Sequence, residues 1–209
     1  MKIILISPCK DVRFKTPKGE RMPQLALHIL QGLTPAEHEV HIVEEETDEV
    51  DLNAECDLVG LSCMTANAPR AYHFAAEFSK RDKTVVLGGV HPTILPEEAA
   101  QYADAVVIGE AENIWENLLE DFRVGRLQKF YRNAPPNLER YIPTKIKNKK
   151  RGLFSIFPIM TTRGCPYNCE FCSVTNIYGR KIRHAPIANV VRQIEESGWK
   201  KYIFLDDNI

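Results

Sequence analysis

The chain has 209 residues, 44% of them hydrophobic, with 27 basic and 28 acidic side chains that leave a net charge of −1. This is a globular profile that excludes collagen-like, mucin-like and disordered classes, and the even charge disfavours a nucleic-acid partner. No apolar run approaches the ~20 residues that span a bilayer, and Ile3–Ile6 is too short for a signal-peptide core of about 7 residues or more, so a cytoplasmic protein with no membrane partner is expected.

Lys2–Ser7 reads as a buried strand, and Met22, Leu25 and Ile29 then recur at helical spacing. Val40–Val43 and Leu58–Leu61 are the second and third strands. Ala71, Phe74, Ala75 and Phe78 stripe one face of a helix. Thr84–Leu87 is a fourth strand stopped by Gly88-Gly89, and a short helix runs from Pro96 to Tyr102. Ala105–Ile108 is a fifth strand stopped by Gly109. Ile114, Trp115, Leu118, Leu119 and Phe122 mark a helix ending near Gly125. Continuously apolar strands alternating with helices predict an α/β fold, a doubly wound five-stranded parallel sheet of Rossmann-like type. Ligands of such sheets lie beyond the carboxyl ends of the strands. Ser7-Pro8-Cys9, Ser62-Cys63-Met64-Thr65, Gly88-Gly89-Val90-His91 and Gly109-Glu110 fall there, with His91 expected in a loop.

Residues 1–134 form the expected first domain and 135–153 a linker. Lys145, Lys147, Lys149, Lys150 and Arg151 in the linker are read as a solvated basic connector. The rhythm then restarts. Phe154–Met160 is a strand, Thr161–Tyr178 a loop, Pro186 opens a helix that Gly198 ends, and Tyr202–Leu205 is a strand followed by Asp206-Asp207. No G-x-G-x-x-G follows the first strand, which disfavours a dinucleotide oxidoreductase.

Six cysteines in a chain expected to be cytoplasmic are not read as a disulfide framework. Cys165, Cys169 and Cys172 share one loop with the spacing C-x3-C-x2-C. A structural zinc site takes four ligands, and His184 or a distant cysteine could complete one here. An iron–sulfur cube usually takes four thiolates, so three would leave one iron open to a substrate.

Thr161-Thr-Arg-Gly-Cys165-Pro-Tyr-Asn-Cys169-Glu-Phe-Cys172 resembles the cluster loop of radical S-adenosylmethionine (SAM) enzymes, which follows the first strand of a partial (β/α)6 barrel. The resemblance implies that Cys165, Cys169 and Cys172 hold a [4Fe-4S] cluster whose free iron is chelated by SAM. Reductive cleavage then yields a 5′-deoxyadenosyl radical. It also implies that Phe171 lies near the adenine and that Asp206 and Asp207 offer a polar contact to the methionyl amino group. An electron donor such as flavodoxin or ferredoxin and a small-molecule substrate complete the implied partners.

Val59-Gly-Leu-Ser-Cys-Met-Thr65, Leu87-Gly-Gly-Val-His-Pro-Thr93 and Ala103-Asp-Ala-Val-Val-Ile-Gly-Glu110 resemble the cobalamin-binding domain that precedes many of these enzymes. Ser62, Thr65, Gly88, Gly89 and Gly109 are then the candidate cobalamin contacts. Generic strand-end turns explain the same residues without a ligand. The signature D-x-H-x-x-G is missing after the first strand, where Ser7-Pro-Cys-Lys-Asp11 stands, so this loop offers the cobalt no histidine.

The resemblance implies a cobalamin-dependent radical SAM enzyme, with methyl transfer to an unactivated carbon as its commonest chemistry and ring closure or rearrangement as others. A methylthiotransferase would need a second cysteine triad. Cys9 and Cys63 do sit at strand ends, but Gly89-Val-His91 after the fourth strand has no cysteine and Cys56 lies before the third strand, so the triad is incomplete. A non-catalytic cobalamin or nucleotide sensor with a zinc-stabilised tail is the reading from another class. Residues 154–209 hold only the first strand–helix–strand of a barrel, so the chain is expected to be catalytically incomplete, a truncated piece of a longer protein.

Overall fold

The computed structural model describes residues 1–11, 22–138, 146 and 155–208. The linker's basic residues, Lys145, Lys147, Lys149, Lys150 and Arg151, and Phe154 lie outside these.

The first part is built from β1 (Lys2–Ser7), α1 (Leu25–Leu33), β2 (Glu39–Glu44), β3 (Leu58–Ser62), α2 (Ala68–Ser79) and β4 (Thr84–Gly88). It continues with α3 (Val90–Ile94), α4 (Pro96–Ala99), β5 (Ala105–Ile108), α5 (Trp115–Arg123) and β6 (Phe130–Arg132). Its sheet has the order β2-β1-β3-β4-β5-β6, and every pairing is parallel. The order reverses between β1 and β3, so the crevice at their carboxyl ends is the place for a ligand.

Both faces of the sheet are buried, as its apolar strands require. Ile4, Ile6, Val59, Leu61, Val85 and Leu87 pack under α2 through Ala71, Phe74, Ala75 and Phe78. Ile3, Leu5, Leu58, Val86 and Val107 pack under α1 and α5 through Leu27, Trp115, Leu118 and Leu119. Alternate residues of β1 thus serve opposite cores, the period-2 geometry of a strand. Gly60 keeps the second face close-packed, since a Cβ there would meet Leu5 Cδ2 at 2.8 Å.

The expected five strands are one short. β6 adds a sixth, paired to β5 from Val106↔Phe130 to Ile108↔Arg132. Tyr131 alone of its three residues is buried, which is too little pattern to announce a strand. The expected loop at His91 is also corrected: Val90–Ile94 is the helix α3, and His91 is buried within it.

The second part holds β7 (Phe157–Ile159), β8 (Thr162–Arg163), α6 (Val174–Tyr178), β9 (Arg183–His184), α7 (Ile187–Ser197) and β10 (Tyr202–Phe204). β7 and β10 are parallel neighbours, and β8 and β9 form an antiparallel ladder. The expected loop from Thr161 to Tyr178 therefore carries a strand at its start and a helix at its end. α7 begins after Pro186 and ends at Gly198, which takes the left-handed conformation with φ 63°. Val190 and Ile194 of α7 join Phe157, Ile159, Trp199 and Tyr202 in a small separate core. Among the described residues no helix is long and apolar enough to cross a membrane.

Trp115 is buried at the centre of the second face, and its indole N–H donates to Thr34 Oγ1 at 2.8 Å. Trp115→Ala is expected to cost about 3–5 kcal/mol through the cavity it leaves. Urea unfolding followed by circular dichroism should show the lowered midpoint, and an unchanged midpoint would contradict this packing.

Candidate functional site

The exits of β1, β3, β4 and β5 form one edge of the sheet. After β1, the Cys9 N–H donates to buried Glu45 at 2.9 Å, and Arg70 of α2 grips the same carboxylate at 2.5 Å while its guanidinium lies over the Phe74 ring. Asn67 ties β3's exit to β1's by donating to the Pro8 carbonyl at 2.7 Å. Thr65 Oγ1 lies 3.2 Å from His91 Nδ1, and His91 Nε2 is 2.9 Å from the Tyr72 hydroxyl and 3.2 Å from Glu98. Thr65 is therefore already engaged by a buried histidine.

The candidate glycines differ in what surrounds them. Gly89, with φ 100°, is packed against β3's exit, where a Cβ would meet the Cys63 carbonyl oxygen at 2.7 Å and Ser62 Oγ at 3.1 Å. A Cβ on Gly88 would make only an ordinary contact with Val107, at 3.6 Å. Gly109, with φ 86°, has open space where its Cβ would point. Close packing within the chain thus accounts for glycine at 89, whereas 109 leaves room for a neighbour.

The three-cysteine loop is held from two sides. On one side stands β10's exit. Asp206 accepts N–H bonds from Thr161 at 2.5 Å and Thr162 at 2.9 Å, and also takes the Thr161 hydroxyl. Asp207 accepts the Gly164 N–H at 2.8 Å. The expected acidic pair is thus engaged with the root of the loop. Burial pushes the Asp207 carboxyl above its ordinary value, with the Gly164 N–H and Arg163 acting against the shift.

On the other side stands β5's exit. Buried Glu110 takes Arg163 on Oε2 and the fork of Arg183 on both oxygens, at 2.5 Å and 3.1 Å, and Glu112 pairs with Arg163 at 2.5 Å. Arg163 and Arg183 face each other across the β8–β9 ladder. Arg183 also donates to the Pro136 carbonyl at 2.9 Å and the Tyr178 carbonyl at 3.2 Å. Burial works against the Arg163 charge, yet the Glu112 and Glu110 carboxylates outweigh it and hold the guanidinium protonated beyond its ordinary range. Sequence reading gave these four side chains no role. The only local signals were Glu110 straight after Gly109 and Arg163 two residues before Cys165.

Within the loop, Gly164 has φ 88°, and a Cβ there would stand 2.5 Å from the Lys181 carbonyl oxygen. The Cys165 N–H reaches the Gly179 carbonyl at 3.2 Å, and the Cys172 N–H reaches the Cys169 carbonyl at 3.0 Å. All three thiols are free and none is buried; Cys169 is exposed. Phe171 is 93% exposed. The donor set therefore fits an iron–sulfur cluster in kind: three solvent-reachable thiols within eight residues on a braced loop. Among the described residues no three His, Cys, Asp or Glu side chains are gathered as for a metal ion. Cys9, Cys56 and Cys63 are all buried, and burial pushes the Cys63 thiol up to about 12.

Residues 18–119 match the B12 binding domain family. Over 190 residues the chain is 42% identical to bacteriochlorophyllide d C-8(2)-methyltransferase of Chlorobaculum tepidum, covering 86% of this chain and 42% of that protein. It is 29% identical over 226 residues to the C-12(1)-methyltransferase of the same organism, covering 100% of this chain and 49% of that one. The chain thus spans somewhat less than half the length of these relatives. In fold it is similar to the radical SAM methyltransferase TsrM of Kitasatospora setae, with a TM-score of 0.75 at 18% identity, over 99% of this chain and 47% of that one. Another TsrM structure of equal score carries cobalamin and a [4Fe-4S] cluster.

Gly164→Ala is expected to cost ~2 kcal/mol through backbone strain and to displace the loop, because the opposing atoms are main-chain. Hydrogen exchange should accelerate in residues 161–184 while β1 and β3 stay protected; unchanged exchange in the loop would contradict this. For Asp207 the raised value sets the sign. The fold favours the protonated carboxyl, so the contribution to stability is full below the ordinary carboxyl range and is lost as pH rises through the raised value. Asp207→Asn keeps an acceptor for the Gly164 N–H and is expected to remove that decline. Urea titrations from about pH 4 to pH 7 should show it, and parallel profiles would contradict it.

Proposed function

From a chain whose residues 18–119 match the B12 binding domain family, and which is similar to proteins named methyltransferases, we propose a cobalamin-dependent radical SAM methyltransferase. One observation carries the proposal. The loop bearing Cys165, Cys169 and Cys172 is braced through Arg163 against Glu110, at the strand edge where a B12-binding sheet receives its ligand.

Residues 1–134 would bind cobalamin, residues 154–209 would carry the cluster loop, and 135–153 would connect them. Cys165, Cys169 and Cys172 would hold the cluster. Gly109 leaves space for the corrin, and Ser62, Gly88 and Gly89 shape the adjoining edge. When bound, the cluster supplies the electron that cleaves SAM, and cobalamin supplies the carrier for the methyl group. The chain's own residues contribute position. Asp206 and Asp207 fix the start of the loop, and Phe171 offers an exposed aromatic face to a flat ligand such as adenine. Methyl transfer to an unactivated carbon of a small-molecule substrate is the reaction proposed, with a flavodoxin- or ferredoxin-type electron donor.

Anaerobic reconstitution of the full-length protein should give about four irons per chain and a corrin spectrum on titration with hydroxocobalamin. Replacing Cys165, Cys169 and Cys172 together by alanine should abolish iron binding and leave cobalamin binding intact. Stoichiometric zinc without iron–sulfur absorption would overturn the cluster assignment. Folded protein that leaves the corrin spectrum unchanged would overturn the cobalamin assignment.

A further inference from the structure

Glu110, Glu112, Arg163 and Arg183 form a buried, charge-balanced group whose members come from different parts of the fold. Glu110 and Glu112 follow β5 on the sheet that would bind cobalamin, Arg163 stands two residues before Cys165, and Arg183 lies on the opposite strand of the same ladder. The Glu110 side chain is 4% exposed and that of Arg163 5%, so each charge depends on its partners. Buried ion pairs add little net stability compared with apolar packing of the same volume. What a guanidinium fork on a carboxylate does supply is a fixed orientation.

We infer that Glu110 is a positioning residue: through Arg163 and Arg183 it sets the distance and orientation between the three-cysteine loop and the cobalamin-binding edge. The inference rests on the function proposed above. Glu110 is suited to the task because one carboxylate receives both arginines of the ladder, and the ladder leads within two residues to Cys165. Arg183 extends the brace to the Tyr178 carbonyl at the end of α6, which closes the far side of the loop. Glu112 reinforces the Arg163 arm alone.

The test uses the full-length protein loaded with cluster and cobalamin and reduced so that both centres are paramagnetic. Pulsed electron paramagnetic resonance then reads their dipolar coupling. The wild type should give one narrow distance distribution. Glu110→Gln should broaden it at least twofold, while iron content and cobalamin affinity stay within about twofold of wild type. Arg183→Lys, which keeps the charge and loses the fork, should broaden it as well. Glu120→Gln, at an exposed ion pair with Arg123, should leave it unchanged. In the cofactor-free protein, Glu110→Gln should speed exchange of the Gly164 and Cys165 amides at least tenfold, with β1 and β3 unaffected. A distribution in Glu110→Gln identical to wild type overturns the inference and leaves the proposed function standing. Should Glu110→Gln not fold, an unchanged distribution in Arg183→Lys overturns it equally. Failure of the wild type to hold both cofactors overturns the function, and this inference with it.

Discussion

The carboxylate of Glu110 at the exit of β5, with Glu112 beside it, ties the cysteine loop to the main sheet. Glu110 is buried, receives two arginines from the β8–β9 ladder, and lies beside a glycine that leaves open space. A charge so placed tolerates little rearrangement, because any movement that unpairs it leaves it desolvated. The cysteine loop consequently inherits its placement from the main sheet. Its other root, at β10's exit, depends on Asp206 and Asp207 accepting main-chain N–H groups. Two independent strand ends thus fix one loop whose outer part, from Cys169 to Phe171, is exposed.

The strand edge itself divides into positions closed by the fold and positions left free. Glu45 is occupied by Arg70 and the Cys9 N–H, Thr65 by His91, and Gly89 by the Cys63 main chain. These contacts stiffen the β1, β3 and β4 exits against one another. Gly109 stays open on the β5 side. A rigid rim with a vacant flank is what a bulky planar ligand needs, since preorganisation lowers the ordering cost of binding.

The sheet was legible in the sequence because most of its strands are short apolar runs, with the fourth and fifth stopped by glycine, and because the helix stripes at Ala71–Phe78 and Ile114–Phe122 are strongly periodic. The cysteine spacing was legible for the same local reason. What escaped was either too short or too distant. β6 has one buried residue in three, and α3 begins with Val90-His-Pro, which reads as a turn. The Glu110 pairs join residues 53 and 73 positions apart, and charged side chains taken singly are read as surface. Asp206 and Asp207 were legible as important, but their main-chain partners depend on the parallel pairing of β7 with β10, which no local pattern encodes.

The distribution of thiols has a practical side. Cys9, Cys56 and Cys63 are shut inside the α/β sheet, and burial raises the Cys56 and Cys63 thiols, so the nucleophilic thiolate is suppressed there. Cys165, Cys169 and Cys172 remain within reach of solvent. An alkylating reagent or dissolved oxygen therefore meets the loop first and the sheet only on unfolding. Thiol modification in this protein divides by location into a record of the loop's exposure and a record of the sheet's integrity, which can be read separately from one sample.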